Sequence, residues 1–81
     1  MYFIYLLECR DGSLYAGMTT DVERRLKEHQ SGKASAYTKA HGALAMVYVE
    51  ERKDRGDALR REAEIKRLSR AEKLALVAGG M

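Results

Sequence analysis

Residues 2–17, Tyr2-Phe3-Ile4-Tyr5-Leu6-Leu7-Glu8-Cys9-Arg10-Asp11-Gly12-Ser13-Leu14-Tyr15-Ala16-Gly17, decide how this chain is read. Tyr2–Cys9 is apolar on both faces of an extended backbone, the pattern of a strand in the middle of a sheet. Asp11-Gly12 is a hairpin signal, because a tight turn needs a positive φ that glycine adopts freely. Leu14–Met18 then returns antiparallel. Reflected through that turn, Tyr5 and Tyr15 fall close to opposite one another, to within about one residue of register. Tyrosines on neighbouring strands commonly make a cross-strand packing pair. Gly17 within a strand marks a close approach of backbone or a bulge.

Working outward, Thr20 with Glu23 three residues on reads as a capping box. It opens a helix that runs to about Gln30 and stops at Ser31-Gly32. Lys33–Gly42 reads as a polar, basic loop holding Tyr37, Thr38, Lys39 and His41. Ala43–Glu50 is a third strand. Asp54 opens a second helix running to about Leu68, and Ser69 with Glu72 forms another capping box. The short third helix that follows ends at Gly79-Gly80. The expected order is β-β-α-β-α-α, an α/β (α+β) fold with a three-stranded antiparallel sheet flanked by helices.

The chain has 81 residues, which predicts a single domain over 1–81. A chain of this size buries only about 60–65% of its unfolded surface, so the core is small and any site is shallow. The single cysteine, Cys9, permits neither an intrachain disulfide nor a metal-binding cysteine cluster, which suits a reducing cytoplasm. Tyr2–Leu7 is too short for a signal peptide or a membrane span. No proline-rich linker, low-complexity tract or internal repeat interrupts the chain. A net charge of +3 and a pI near 9.2 are compatible with nucleic acid, and equally with solvated lysine and arginine faces.

Helical geometry separates residues that chemistry could use. At about 100° per residue, Val22, Leu26 and His29 share the face of the first helix that packs on the sheet. Arg25 lies at the edge of that face, whereas Arg24, Lys27 and Glu28 point away. A cation held against a sheet needs an anion, unless its stem merely covers apolar surface. On the second helix, Ala58, Leu59 and Ile65 mark a buried arc, and Glu62 projects into its middle. Glu64 lies on the far side among Arg60, Arg61 and Arg67. An inward carboxylate is costly unless paired or bound to a metal. The pairing candidates are Lys66 at i+4 and Arg25 across the fold, and the alternative is a role as ligand to Mg²⁺ or Mn²⁺.

Taken together these residues resemble the GIY-YIG nuclease superfamily, and in particular its small stand-alone bacterial branch. Phe3-Ile4-Tyr5 stands at the GIY position and Tyr15-Ala16-Gly17 at the YIG position. The similarity continues through Asp21-Val22-Glu23-Arg24-Arg25-Leu26-Lys27-Glu28-His29, Tyr37-Thr38, the helix containing Glu62, and Ile65-Lys66-Arg67-Leu68-Ser69-Arg70-Ala71-Glu72-Lys73. The departures are Phe3 for the motif glycine and Ala16 for its isoleucine. The asparagine that the family carries downstream of its metal glutamate also has no counterpart, since the chain contains no Asn.

The resemblance implies a divalent-metal-dependent endonuclease that hydrolyses DNA phosphodiester bonds in repair or recombination. It makes Tyr5 and Tyr15 the motif tyrosines, Arg25 the catalytic arginine, His29 the helix histidine and Glu62 the ligand to Mg²⁺ or Mn²⁺. Tyr5 is the favoured general base, supported by Tyr15 and His29, with the choice between the two tyrosines open; a phenol must have its pKa lowered by nearby positive charge to act so near neutral pH. Lys33, Tyr37, Lys39, Arg70 and Lys73 are candidate contacts to the nucleic-acid backbone. The expected partner is DNA, branched or damaged forms included, with RNA as an open alternative and a homodimer or larger repair assembly as further partners. Two other readings stand beside this one: a module that binds DNA structures without cutting them, and a protein-interaction domain of a repair complex.

Overall fold

In a computed structural model, residues 1–79 are described. Seven elements follow one another: β1 (Tyr2–Cys9), β2 (Leu14–Thr19), α1 (Val22–Gln30), α2 (Ala36–His41), β3 (Ala43–Arg52), α3 (Arg55–Lys66) and α4 (Arg70–Val77). The sheet is three-stranded and antiparallel, in the order β2-β1-β3. β1 is therefore the central strand, as its two-faced apolar pattern requires. Ile4, Tyr5, Leu6 and Leu7 are all buried.

Alternation along β1 sorts these residues between two faces. Ile4 and Leu6 form the core with Ala16 of β2 and with Ala58 and Ile65 of α3. Tyr5 faces the other way and meets α1 through His29. Helices thus lie on both sides of the sheet, and the side covered by α1 holds the polar residues.

Several local expectations are corrected. Thr20 does not cap α1. Asp21 does, its carboxylate accepting from the Arg24 N–H at 3.1 Å, so Glu23 stands one position too early to close a box. The stretch read as a loop, Lys33–Gly42, contains α2, capped by the Ser35 hydroxyl and ended by Gly42 at a φ of 77°. The order is accordingly β-β-α-α-β-α-α, and β3 extends two residues further, to Arg52. Tyr5 and Tyr15 are not opposite one another: Tyr5 faces Gly17 and Tyr15 faces Leu7, a shift of one pair on the same face. Leu59 lies outside the buried arc of α3 and is exposed.

The other caps are as expected. Gly32 takes a φ of 79° after α1, Asp54 caps α3, and Ser69 and Glu72 form a complete capping box on α4. Gly79 takes a positive φ beyond α4; Gly80, its partner in the expected stop, lies outside the described residues.

Candidate active site

The site grows from one hydrogen-bonded line. The Tyr5 hydroxyl lies 2.7 Å from His29 Nε2, and His29 Nδ1 lies 2.8 Å from Thr38 Oγ1. Thr38 Oγ1 in turn donates to the Ser35 carbonyl at 3.3 Å. Because that hydroxyl has one proton, it accepts from His29, which places the imidazole proton on Nδ1. Nε2 is then a bare acceptor and Tyr5 O–H donates to it. Every buried polar group in the line is satisfied by this single direction, from Tyr5 through His29 and Thr38 to the backbone.

Each member is held by a different element. Tyr5 is on the central strand, its ring lying across Gly17 so closely that a Cβ there would overlap the phenol. The glycine in β2 is therefore needed for a close approach, and no bulge interrupts β1–β2 pairing at that point. His29 is 2% exposed in the last turn of α1, and Thr38 is 1% exposed on α2. Tyr15 packs edge-on to His29 and stacks on Tyr37, with ring centroids 5.6 Å and 5.4 Å apart. Tyr37 stacks on His41 as well, at 4.0 Å.

Burial sets the protonation states. Desolvation lowers the His29 pKa below its ordinary value and the Arg25 charge lowers it further, so the imidazole is neutral near pH 7. The Tyr5 phenol is pushed up to about 12 by burial, which outweighs the lowering effect of Arg25. The expectation that positive charge would lower this pKa is therefore corrected. Tyr5 is a protonated phenol that donates to a neutral imidazole.

Arg25 and Glu62 border this line, and the charges of both, with that of Glu28, reach Tyr5. Arg25 pairs with Glu28 at 3.4 Å through one terminal nitrogen, while its Nε is buried without a hydrogen-bond partner. A buried, unmatched guanidinium N–H is costly. Arg24 is 57% exposed and 3.9 Å from the same Glu28, so adjacent arginines separate as helical geometry predicts. Glu28, read from sequence as pointing outward, lies half-buried between them. The Glu62 side chain is 19% exposed and 3.5 Å from the mostly exposed Lys66, the i+4 partner.

The remaining candidates are dispersed. Lys33 and Lys39 are exposed on either side of the turn into α2. Arg70 donates to the Gly12 carbonyl at 2.8 Å, tying α4 to the hairpin turn, and Lys73 lies on α4 outside the hydrogen-bonded line. The residue whose importance sequence reasoning missed is Thr38. It was visible only as a neighbour of Tyr37, since a six-residue helix carries too little periodicity to show which face is buried. The described residues contain no helix long and apolar enough to cross a membrane.

Comparison with known proteins agrees with the fold. Residues 1–75 match the family model described as the GIY-YIG catalytic domain. A UPF0213 protein of Halalkalibacterium halodurans, BH0048, is 46% identical over 76 residues, covering 94% of this chain and 81% of its own. UPF0213 protein VNG_2274C of Halobacterium salinarum is 43% identical, covering 94% of this chain and 99% of its own. The solution NMR structure of BH0048 superimposes with a TM-score of 0.61 over 96% of this chain and 84% of that one.

Proposed function

The chain belongs to the GIY-YIG catalytic domain family, a nuclease superfamily, and from that premise we propose that it is a divalent-metal-dependent endonuclease acting on DNA. The observation that carries the reading is the line from Tyr5 to Thr38, with the unmatched Arg25 Nε beside it.

Tyr5 and His29 act as a proton relay. Water gives a proton to the Tyr5 oxygen as the phenol passes its own proton to His29 Nε2. The hydroxide formed attacks phosphorus, the bond to the leaving oxygen breaks, that oxygen takes a proton from solvent, and the imidazolium later returns its proton to solvent. The relay never requires a free phenolate, which a pKa of about 12 would make scarce at neutral pH. Thr38 accepts from Nδ1 throughout, so it keeps Nε2 turned to the phenol and steadies the imidazolium that forms. Arg25 meets the phosphate oxygens with a guanidinium that already has an unsatisfied donor. Tyr15 and Tyr37 fix the rings by stacking, and Lys33, Lys39, Arg70 and Lys73 hold backbone phosphates without reading sequence.

The residues present fit a divalent cation. Among the described residues no group of three His, Cys, Asp or Glu side chains could cage a metal. Mg²⁺ needs no cage, because one or two carboxylates with waters and a substrate phosphate suffice. Glu62, 19% exposed and engaged among the described residues with the exposed Lys66, supplies that carboxylate. When bound there, the cation supplies Lewis-acid stabilisation of charge on the scissile phosphate.

The test is incubation of purified protein with supercoiled plasmid, a branched DNA duplex and an RNA duplex, with Mg²⁺ or Mn²⁺ and with EDTA. Nicking of DNA that EDTA abolishes is expected. Tight binding to branched DNA with no cleavage in either metal would favour a DNA-structure-binding module. Neither binding nor cleavage would favour a protein-interaction domain.

A further inference from the structure

A cleft of about 280 Å³ borders the His29–Thr38 pair, and Tyr5 is not among the residues that line it. Arg10, Gly32, Lys39 and Gly42 line it together with His29 and Thr38, and no carboxylate does. Its size falls just below the roughly 300–1,000 Å³ of sites that enclose a small molecule.

The two cations are seated by two glycines. Gly42 has a φ of 77°, and a Cβ there would lie 2.7 Å from the Arg10 Cδ. Gly32 has a φ of 79°, and a Cβ there would lie 3.3 Å from the Lys39 Cγ. The Arg10 backbone is fixed too, its N–H donating to the Gly42 carbonyl at 2.8 Å and the His41 carbonyl at 3.2 Å. Among the described residues, neither Arg10 nor Lys39 has an ion-pair partner. Arg61, by contrast, is held by Glu50 at 2.8 Å and is fully engaged in structure. Placed stems with free heads are what an anion subsite requires.

We propose that this cleft is a second phosphate subsite, in which Arg10 and Lys39 hold a backbone phosphate of the substrate strand next to the one being cleaved. The cleft shares His29 and Thr38 with the reactive line, so a phosphate there is one step along the strand from the one that meets Tyr5 and Arg25. Tyr37 and His41, which stack on each other, do not line it, and the ring that does, His29, is 2% exposed and offers no open face for a base. The cleft therefore recognises phosphate and not base sequence. The endonuclease reading supplies the source of that phosphate; the cleft's chemistry does not depend on it.

The experiment measures binding of a fluorescein-labelled DNA strand by anisotropy, in EDTA, across a series of KCl concentrations. Wild type is compared with the double variant Arg10→Gln/Lys39→Gln and with Lys53→Gln, a cation remote from the cleft. In parallel, inorganic phosphate is titrated while the Gly32 and Gly42 amide resonances are followed. The slope of log K against log salt should shrink by about 0.7–0.9 per cation lost, so by about 1.4–1.8 in the double variant, and stay unchanged in Lys53→Gln. An unchanged slope in the folded double variant would overturn the subsite while leaving the nuclease reading intact. If wild type binds no DNA, yet phosphate shifts both glycine amides in wild type and not in the double variant, the cleft stands as a site for a free phosphoryl group. The nuclease reading then falls. Neither DNA binding nor amide shifts would overturn both.

Discussion

His29 joins two elements through its two ring nitrogens, with Nε2 at 2.7 Å from the Tyr5 hydroxyl of the central strand and Nδ1 at 2.8 Å from Thr38 Oγ1 of α2. The two contacts fix one tautomer, and the tautomer fixes the direction in which a proton can move.

Thr38 is thus a positioning residue. Thr38→Val keeps the shape and removes the acceptor, leaving a buried Nδ1–H without a partner at a cost of about 1–3 kcal/mol. Nicking should fall as well, because the imidazole can turn or change tautomer. Thr38→Ser, which retains the hydroxyl, should recover most of both. Urea denaturation and nicking rates on the three proteins check this. Equal loss in Thr38→Ser would place the effect in packing and not in the hydroxyl.

The lowered pKa of His29 gives stability a defined pH dependence. In the unfolded chain the imidazole gains its proton near pH 6.5, whereas in the folded chain it does so only at lower pH. The unfolded state therefore binds the proton first, and stability is lost as pH falls from about 6.5 through the depressed value. Above that window the contribution is fully present. Asp11 and Glu72, whose pKa values are also lowered, act only further down, in the carboxylate range. Urea midpoints at pH 7.5 and 5.5 should fall less in His29→Gln than in wild type.

Tyr5 governs the alkaline side in the same way. Its folded pKa of about 12 exceeds the ordinary value of 10.0. The unfolded chain loses that proton first, so stability is lost as pH rises from about 10 towards 12. Tyr5→Phe should remain folded at neutral pH, lose nicking, and be less sensitive than wild type as pH rises from about 10 towards 12. An active Tyr5→Phe enzyme would remove the phenol from the relay.

The adjacent arginines should part company. Arg25→Ala removes the unmatched Nε donor and should slow cleavage by roughly two to three orders of magnitude. Arg24→Ala removes an exposed contact with Glu28 and should change stability by less than about 0.5 kcal/mol, with little effect on rate. Rates for the two variants, each confirmed as folded, decide the matter.

How far the sequence carries this account differs residue by residue. The Asp-Gly turn and the unbroken apolar run make β1 central, and about 100° per residue separates Arg25 from Arg24 on α1. Those readings rest on periods long enough to be seen. α2 was not legible, because six residues bounded by Ser35 and Gly42 look like a polar loop until Thr38 is seen to be buried. The Tyr5–Tyr15 pairing slipped by two residues, one pair along the same face, because the apolar run of β1 shows no face preference and the turn's geometry is not visible in sequence. The Tyr5 pKa moved opposite to expectation, since burial depends on what surrounds the ring and exceeds the effect of one arginine.

The central claim is that this chain cuts nucleic acid with the help of a metal held at Glu62. Among the described residues Glu62 pairs with Lys66 alone, which is 53% exposed, so Glu62→Gln strands no buried cation and should cost less than about 1 kcal/mol. The most direct measurement is therefore the rate of Mg²⁺-dependent nicking of supercoiled plasmid by wild type and by Glu62→Gln side by side. The account predicts nicking by wild type that EDTA stops, and a loss of at least about two orders of magnitude in a variant that melts at nearly the same temperature. Equal nicking by both proteins, or metal-independent nicking by wild type, would contradict it.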